Sequence, residues 1–304
     1  MSTLAALLAL ILHAVLMVAA APTLAGFLDA GRARLAGRAG PPLLQPWRDL
    51  ARLLRKQPVV ADQASFVTAG APYACFAATA CAALLVPSFA LGMASAPASD
   101  LFVVIGLLAT ARIAMALAAL DAGTPSGGIG ASRAGLLATF AEPALALVVL
   151  TVALLAGGTN LDRSAAALSE GGQGMGASLA LAGAATAMVA LIVAKHLDSS
   201  DWELSGRYLA LAELAGQFRL LAWFGLVGAL FLPFGLASEG AGPQAWLVGL
   251  LAWAAKVAAL GGLLLLAETV IARMRVFRAV EFLGVAAVLA LLAAVFLFVS
   301  QRSA

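Results

Sequence analysis

Long apolar runs separated by short polar breaks dominate the chain. They fall near residues 4–28, 65–92, 101–120, 135–157, 177–196, 214–235, 244–267 and 282–300. Each is close to or above the roughly 20 residues that a helix needs to cross a hydrocarbon core of about 30 Å. The pattern predicts an all-α, polytopic transmembrane bundle of about eight spans. The break between the second and third runs rests on Pro97 and Asp100. Little sequence is left over for a soluble domain, so residues 1–304 read as a single integral membrane domain.

Composition supports this reading. With 63% hydrophobic and 11% charged residues, the chain has too little polar surface to cover a water-soluble fold. The run from Leu4 to Leu28 ends in small residues, Ala19 to Pro22, that resemble a leader cleavage site. No Lys or Arg precedes Arg32, however, so it reads as a retained helix.

The distribution of basic residues sets an expected orientation. Arg32, Arg34, Arg38, Arg48, Arg52, Arg55 and Lys56 follow the first span, and Arg133 follows the third. Lys195, Arg207 and Arg219 flank the fifth and sixth, and Arg273, Arg275 and Arg278 precede the last. The opposite side holds Arg163, with Arg302 at the C-terminal end. Cytoplasmic loops collect Lys and Arg, so both termini are expected to face the periplasm of a cytoplasmic (inner) membrane. This asymmetry accounts for the net charge of +3 without a nucleic-acid partner.

Within the first basic loop, Pro41-Pro42-Leu43-Leu44-Gln45-Pro46-Trp47 leads into Arg48–Lys56. Leu50, Leu53 and Leu54 form an apolar face opposite the charges, which predicts a short amphipathic helix at the cytoplasmic interface. It reads either as a positive-inside anchor or as a docking surface for a cytoplasmic partner.

Ionisable groups inside spans carry an insertion cost of a few kcal/mol and therefore call for a partner or a role. Arg112, Glu142, Lys256 and Glu268 stand out, together with Asp121 at the end of the third span. Glu142 and Arg112 suit a pair that fixes packing or a hydrated proton or ion relay. Pro143 removes a backbone donor beside Glu142 and can open the helix there. Lys256 and Glu268 are placed to share an interior stripe.

Other candidate chemistry is thin. Cys75 and Cys81 are six residues apart in an apolar helix and read as small core residues, too few to hold a cubane cluster or a nickel–iron centre. His13 and His196 read as packed or interfacial side chains rather than a haem pair. The glycine-dense stretch 123–133 lacks the Gly-Lys-Ser/Thr ending of a phosphate loop and reads as a tight turn between helices. No internal repeat or paired broken helix points to a secondary transporter. A stand-alone transporter remains a rival that purification without iron–sulfur partners would support.

Several motifs, in order along nearly the whole chain, resemble the family of complex I subunit 1 and formate hydrogenlyase subunit 4, also called hydrogenase-4 component C. The run Gly40-Pro41-Pro42-Leu43-Leu44-Gln45-Pro46-Trp47, with Asp49-Leu50 and Leu53-Leu54-Arg55-Lys56, is similar to the opening of the complex I subunit. Gly127-Gly128-Ile129-Gly130-Ala131-Ser132-Arg133 followed by Ala141-Glu142-Pro143-Ala144-Leu145 resembles the hydrogenase relatives. So do Leu204-Ser205-Gly206-Arg207, Phe231-Leu232-Pro233-Phe234-Gly235 and the stretch Glu268 to Arg278.

The resemblance implies a non-catalytic, eight-helix membrane subunit that anchors a peripheral [NiFe] hydrogenase arm and links it to antiporter-like membrane subunits. It implies no cofactor in this chain. The NiFe centre and iron–sulfur clusters are expected on the hydrogenase large and small subunits and an iron–sulfur subunit. Docking residues implied by it are Gln45, Asp49, Arg55, Lys56, Asp201, Glu203, Arg207, Arg273, Arg275 and Arg278. The proton or ion path would use Glu142, Arg112, Asp121, Lys256 and Glu268. Two departures stand out: Ala134 occupies a position where the family has an acid, and the segment from Lys195 to Leu204 is shortened, leaving Asp198, Asp201 and Glu203 as its acids.

Overall fold

The computed structural model describes residues 3–169, 175–197, 204–270 and 276–302. Ten α-helices make up the described part: α1 (Thr3–Leu35), α2 (Gln45–Leu54), α3 (Phe66–Leu85), α4 (Leu101–Asp121), α5 (Pro125–Ala156), α6 (Leu161–Ser169), α7 (Met175–Leu197), α8 (Gly206–Leu230), α9 (Pro243–Val270) and α10 (Val276–Arg302). Of these, α1, α3, α4, α5, α8 and α9 are long and apolar enough to cross a membrane. The other two long helices, α7 and α10, carry the shorter apolar stretches Ala180–Ala190 and Leu283–Val299 among their described side chains.

Helix ends follow local chemistry. Pro87 disfavours helical geometry at Val86, so α3 stops at Leu85 instead of reaching residue 92. The glycine-dense stretch is helical rather than a loop. Thr124 caps α5 by accepting from Gly127 N at 3.1 Å, and Pro125 sits in the first turn. The turn before it uses Gly123, at φ +66°. Helix α5 then runs unbroken through Pro143. The sixth expected span begins earlier than residue 214, because α8 extends back to Gly206.

Contacts between connecting segments divide the bundle into two ends. At one end lie residues 36–65, 122–124 and 204–205. There the Ser205 hydroxyl accepts from Val59 N at 2.6 Å and donates to Val59 O at 2.8 Å. At the other end lie 86–100, 157–169 and 231–242. There Ala90 bridges Ala237, and Asp100 bridges Asn160. The first end carries Arg34, Arg38, Arg48, Arg52, Arg55 and Lys56, so it is the basic end.

Helix α8 is the hub. It packs against α1, α2, α3, α6, α7 and α9. Its Phe218, Leu221, Trp223, Phe224, Leu226 and Val227 are buried with Leu24 and Leu28 of α1, Leu145 and Val148 of α5, and Ala286 and Ala290 of α10. Helix α2 lies across the junction of α1 and α8. Gly26 permits its approach, since a side chain there would collide with the Leu43 carbonyl. Leu50 of α2 is buried and Leu53 half-buried, while Leu43, Leu44, Trp47 and Leu54 are exposed.

Candidate functional site

A polar cleft of about 430 Å³ opens at the basic end, between α1, α2 and α8. Its polar lining comes from Asp29 on α1, Gln45, Asp49 and Arg52 on α2, and Glu213 and Gln217 on α8. The last two are four residues apart and so occupy one face of α8. Pro46 and Leu50 pin the α2 side, being buried against the bundle.

Two networks reach the cleft through Asp49 and Asp29. On α2, the Gln45 amide donates to the Asp49 carboxylate at 3.2 and 3.3 Å, and Arg52 pairs with Asp49 at 3.1 Å. From the rear, Arg32 pairs with Asp29 at 2.9 Å and makes a two-pronged bond to Glu268 of α9 at 2.7 and 2.8 Å. Such a planar fork fixes both partners' orientation. Glu213 faces the field of Asp49 and Arg52. The Gln217 Oε1 atom is buried and has no hydrogen-bond partner, which is costly unless a water or ligand group completes it.

The expected path residues do not converge. Arg112 and Glu142 do meet, as an ion pair between α4 and α5 near the middle of both helices. Their side chains are 20% and 42% exposed, so the pair opens toward the outside of the bundle. Asp121 binds the start of α3 instead, accepting from Ser65 N at 2.8 Å, Ser65 Oγ at 2.7 Å, Thr68 N at 3.0 Å and Thr68 Oγ1 at 2.6 Å. Lys256 is buried and donates to Gly228 O at 3.2 Å, with its ammonium 4.5 Å from the Phe234 ring centroid. Glu268 belongs to the cleft network through Arg32.

Among the expected docking residues, Gln45 and Asp49 line the cleft, and Arg55 and Lys56 are exposed beyond it. Arg207 is exposed with its guanidinium 5.6 Å from the Tyr208 ring. Asp198, Asp201, Glu203, Arg273 and Arg275 lie outside the described residues, as do the side chains of Lys195, His196, Arg278 and Arg302. Ala134 is buried.

Sequence reasoning missed Asp29, Arg32, Glu213 and Gln217 as members of one site. Arg32 read as a topology signal, and Glu213 fell just outside the expected sixth span. The i, i+4 spacing of Glu213 and Gln217 on α8 was the available signal.

Comparison with known proteins agrees with the motif resemblance. Hydrogenase-4 component C of Escherichia coli (strain K12) is 31% identical over 238 residues, 75% of this chain and 76% of that protein. Formate hydrogenlyase subunit 4 of the same organism is 36% identical over 152 residues, 50% of each chain. A chain in the structure of the membrane-bound sulfane sulfur reductase, an archaeal respiratory membrane complex, shares the fold with a TM-score of 0.81 at 20% identity, covering 95% of this chain and 98% of that one. The family described as NADH dehydrogenase matches residues 7–299, and the chain belongs to that family.

Proposed function

We propose that this chain is the membrane-anchoring and energy-coupling subunit of a membrane-bound [NiFe] hydrogenase or formate hydrogenlyase-like complex. Its basic end would face the cytoplasm and carry the hydrogenase large, small and iron–sulfur subunits. Antiporter-like membrane subunits would pack beside it in the cytoplasmic membrane, and both termini would face the periplasm. The observation that carries the reading is the polar cleft at the basic end, with Glu213 and the unpartnered Gln217 oxygen inside a helix that otherwise packs the core.

A charge change in a docked redox partner would act on Asp29, Asp49, Glu213 and Glu268 through surroundings less polar than water. Field effects there are stronger than in bulk solvent. Glu142, paired with Arg112 at mid-depth, would be the next carboxylate on the route to the neighbouring membrane subunits.

The test is proton uptake by vesicles containing the whole complex during hydrogenase turnover. Glu142→Gln and Glu213→Gln are each expected to lower redox-linked proton uptake while hydrogenase subunits remain bound. Unchanged proton yield in both variants would reject the coupling role. A second reading, an anchor without ion movement, draws on Ala134, an apolar residue buried at the position where the family carries an acid. It requires that wild-type vesicles turn over without any proton uptake.

A further inference from the structure

We propose that the outer side of the α1–α2 junction binds an anionic phospholipid, one acyl chain lying in a groove on α1 and the phosphate resting on Arg48 of α2 and on Arg55 at its C-cap. This rests on the reading above that the basic end meets the cytoplasmic membrane surface.

The groove, about 440 Å³, is lined by Ala14, Val15, Val18 and Ala19 of α1 and by Trp47 of α2. The α1 residues follow i, i+4 spacing, so they form one strip that runs about 7 Å along the helix axis. Two alanines hollow the strip, and the Trp47 indole closes one end. Every lining side chain is apolar except for the indole N–H. Tryptophan suits a position where an apolar body meets a polar headgroup layer.

Helix α2 supplies the charge. Trp47 and Leu54 are seven residues apart and form an exposed apolar stripe on α2. Arg48 and Arg55 have the same spacing and form a parallel exposed stripe one residue over. Neither arginine has an ion-pair partner among the described residues, whereas Arg52 is engaged by Asp49. A phospholipid matches both features at once: its phosphate can bind the free guanidinium stripe while its chain passes Trp47 into the groove. A soluble anion matches only the arginines, and a helix of a membrane partner matches only the groove.

The experiment uses the purified full-length chain in its complex, delipidated in detergent and exchanged into phosphatidylglycerol or phosphatidylcholine, with retained lipid counted by native mass spectrometry. Wild type is expected to retain one phosphatidylglycerol in preference to phosphatidylcholine. Arg48→Gln should weaken that retention about fivefold, and Arg48→Gln/Arg55→Gln further, as expected for loss of each cation near an anionic headgroup. Ala19→Phe, which fills the groove, should abolish retention of both lipids, and excess inorganic phosphate should not displace the lipid. Equal retention of the two lipids, indifference to the arginine variants, displacement by phosphate, or a photoreactive group at Trp47 that crosslinks to protein instead of lipid would each overturn the proposal. Collision accessibility of a spin label at Leu54→Cys tests the underlying placement. A label reached by oxygen in the bilayer alongside absent lipid selectivity defeats the lipid site alone. A label reached only by aqueous reagents defeats the membrane-surface reading as well.

Discussion

The Lys256 ammonium takes up the Gly228 carbonyl, near the C-terminal end of α8, where the backbone oxygens lack intrahelical donors. A cation there also meets the negative end of the helix dipole. The ammonium also lies 4.5 Å from the Phe234 ring centroid. One hydrogen bond and one ring contact do not compensate fully for burying a charge, since replacing buried ions by apolar groups is often neutral or stabilising. Lys256→Met is therefore expected to leave the unfolding midpoint unchanged or raise it in thermal denaturation of the detergent-solubilised protein. If proton uptake falls while stability holds, the lysine serves coupling; a loss of several kcal/mol would make it a structural cap. Asp121 calls for the opposite result. Four hydrogen bonds from Ser65 and Thr68 make it a carboxylate clasp on the first turn of α3, where negative charge is favoured. Asp121→Ala, which removes all four of those acceptor contacts from the start of α3, should therefore lower the unfolding midpoint.

At the scale of elements, the end opposite the basic one is held by a short helix that apolar pattern alone does not reveal. Asp162 of α6 is buried and accepts from Gly92 N at 2.6 Å, tying α6 to the segment after α3. Burial pushes its carboxyl above the ordinary 3.8, the Gly92 N–H pulls it back in part, and the nearby Glu239 charge pushes it up again. A carboxyl whose folded pKa is raised binds its proton more tightly when folded, so its favourable contribution is full below pH 3.8 and is lost as pH rises through the raised value. Asp162→Asn keeps an acceptor for Gly92 and removes the titration. Unfolding midpoints measured upward from pH 3.8 should decline less steeply for the variant than for wild type, and parallel profiles would refute the assignment. The long helices were legible because membrane burial demands about 20 apolar residues in a row, a signal local in sequence. Their ends were less so. Val86-Pro87 cut α3 short, Thr124-Pro125 turned a glycine-rich stretch into the start of α5, and the nine residues of α6 carry too few apolar positions to register as a run. The site was legible in part: the Arg112–Glu142 pair follows from two mid-span charges, whereas the Arg32–Glu268 bond joins residues 236 apart and leaves no local pattern.

For the whole molecule, the division into two ends determines where a partner can reach it. Alternating long helices put Ala39 at the basic end, and Ser238, beside the Ala90–Ala237 bridge, at the other; both are exposed. The proposed function places the basic end in the cytoplasm, in keeping with the cost of carrying Lys and Arg across a membrane. The Arg32–Glu268 fork draws the ends of α1 and α9 together beside the cleft. With Cys75 and Cys81 first replaced by Ala, Ser238→Cys should react in intact cells with a membrane-impermeant maleimide, and Ala39→Cys should react only after the cells are opened. The reverse pattern would put the cleft on the outer side, where no cytoplasmic hydrogenase arm could dock, and the proposed function would fall with it. Protection of Ala39→Cys in opened cells that contain the whole complex, lost when the soluble subunits are stripped away, would place the arm over this end.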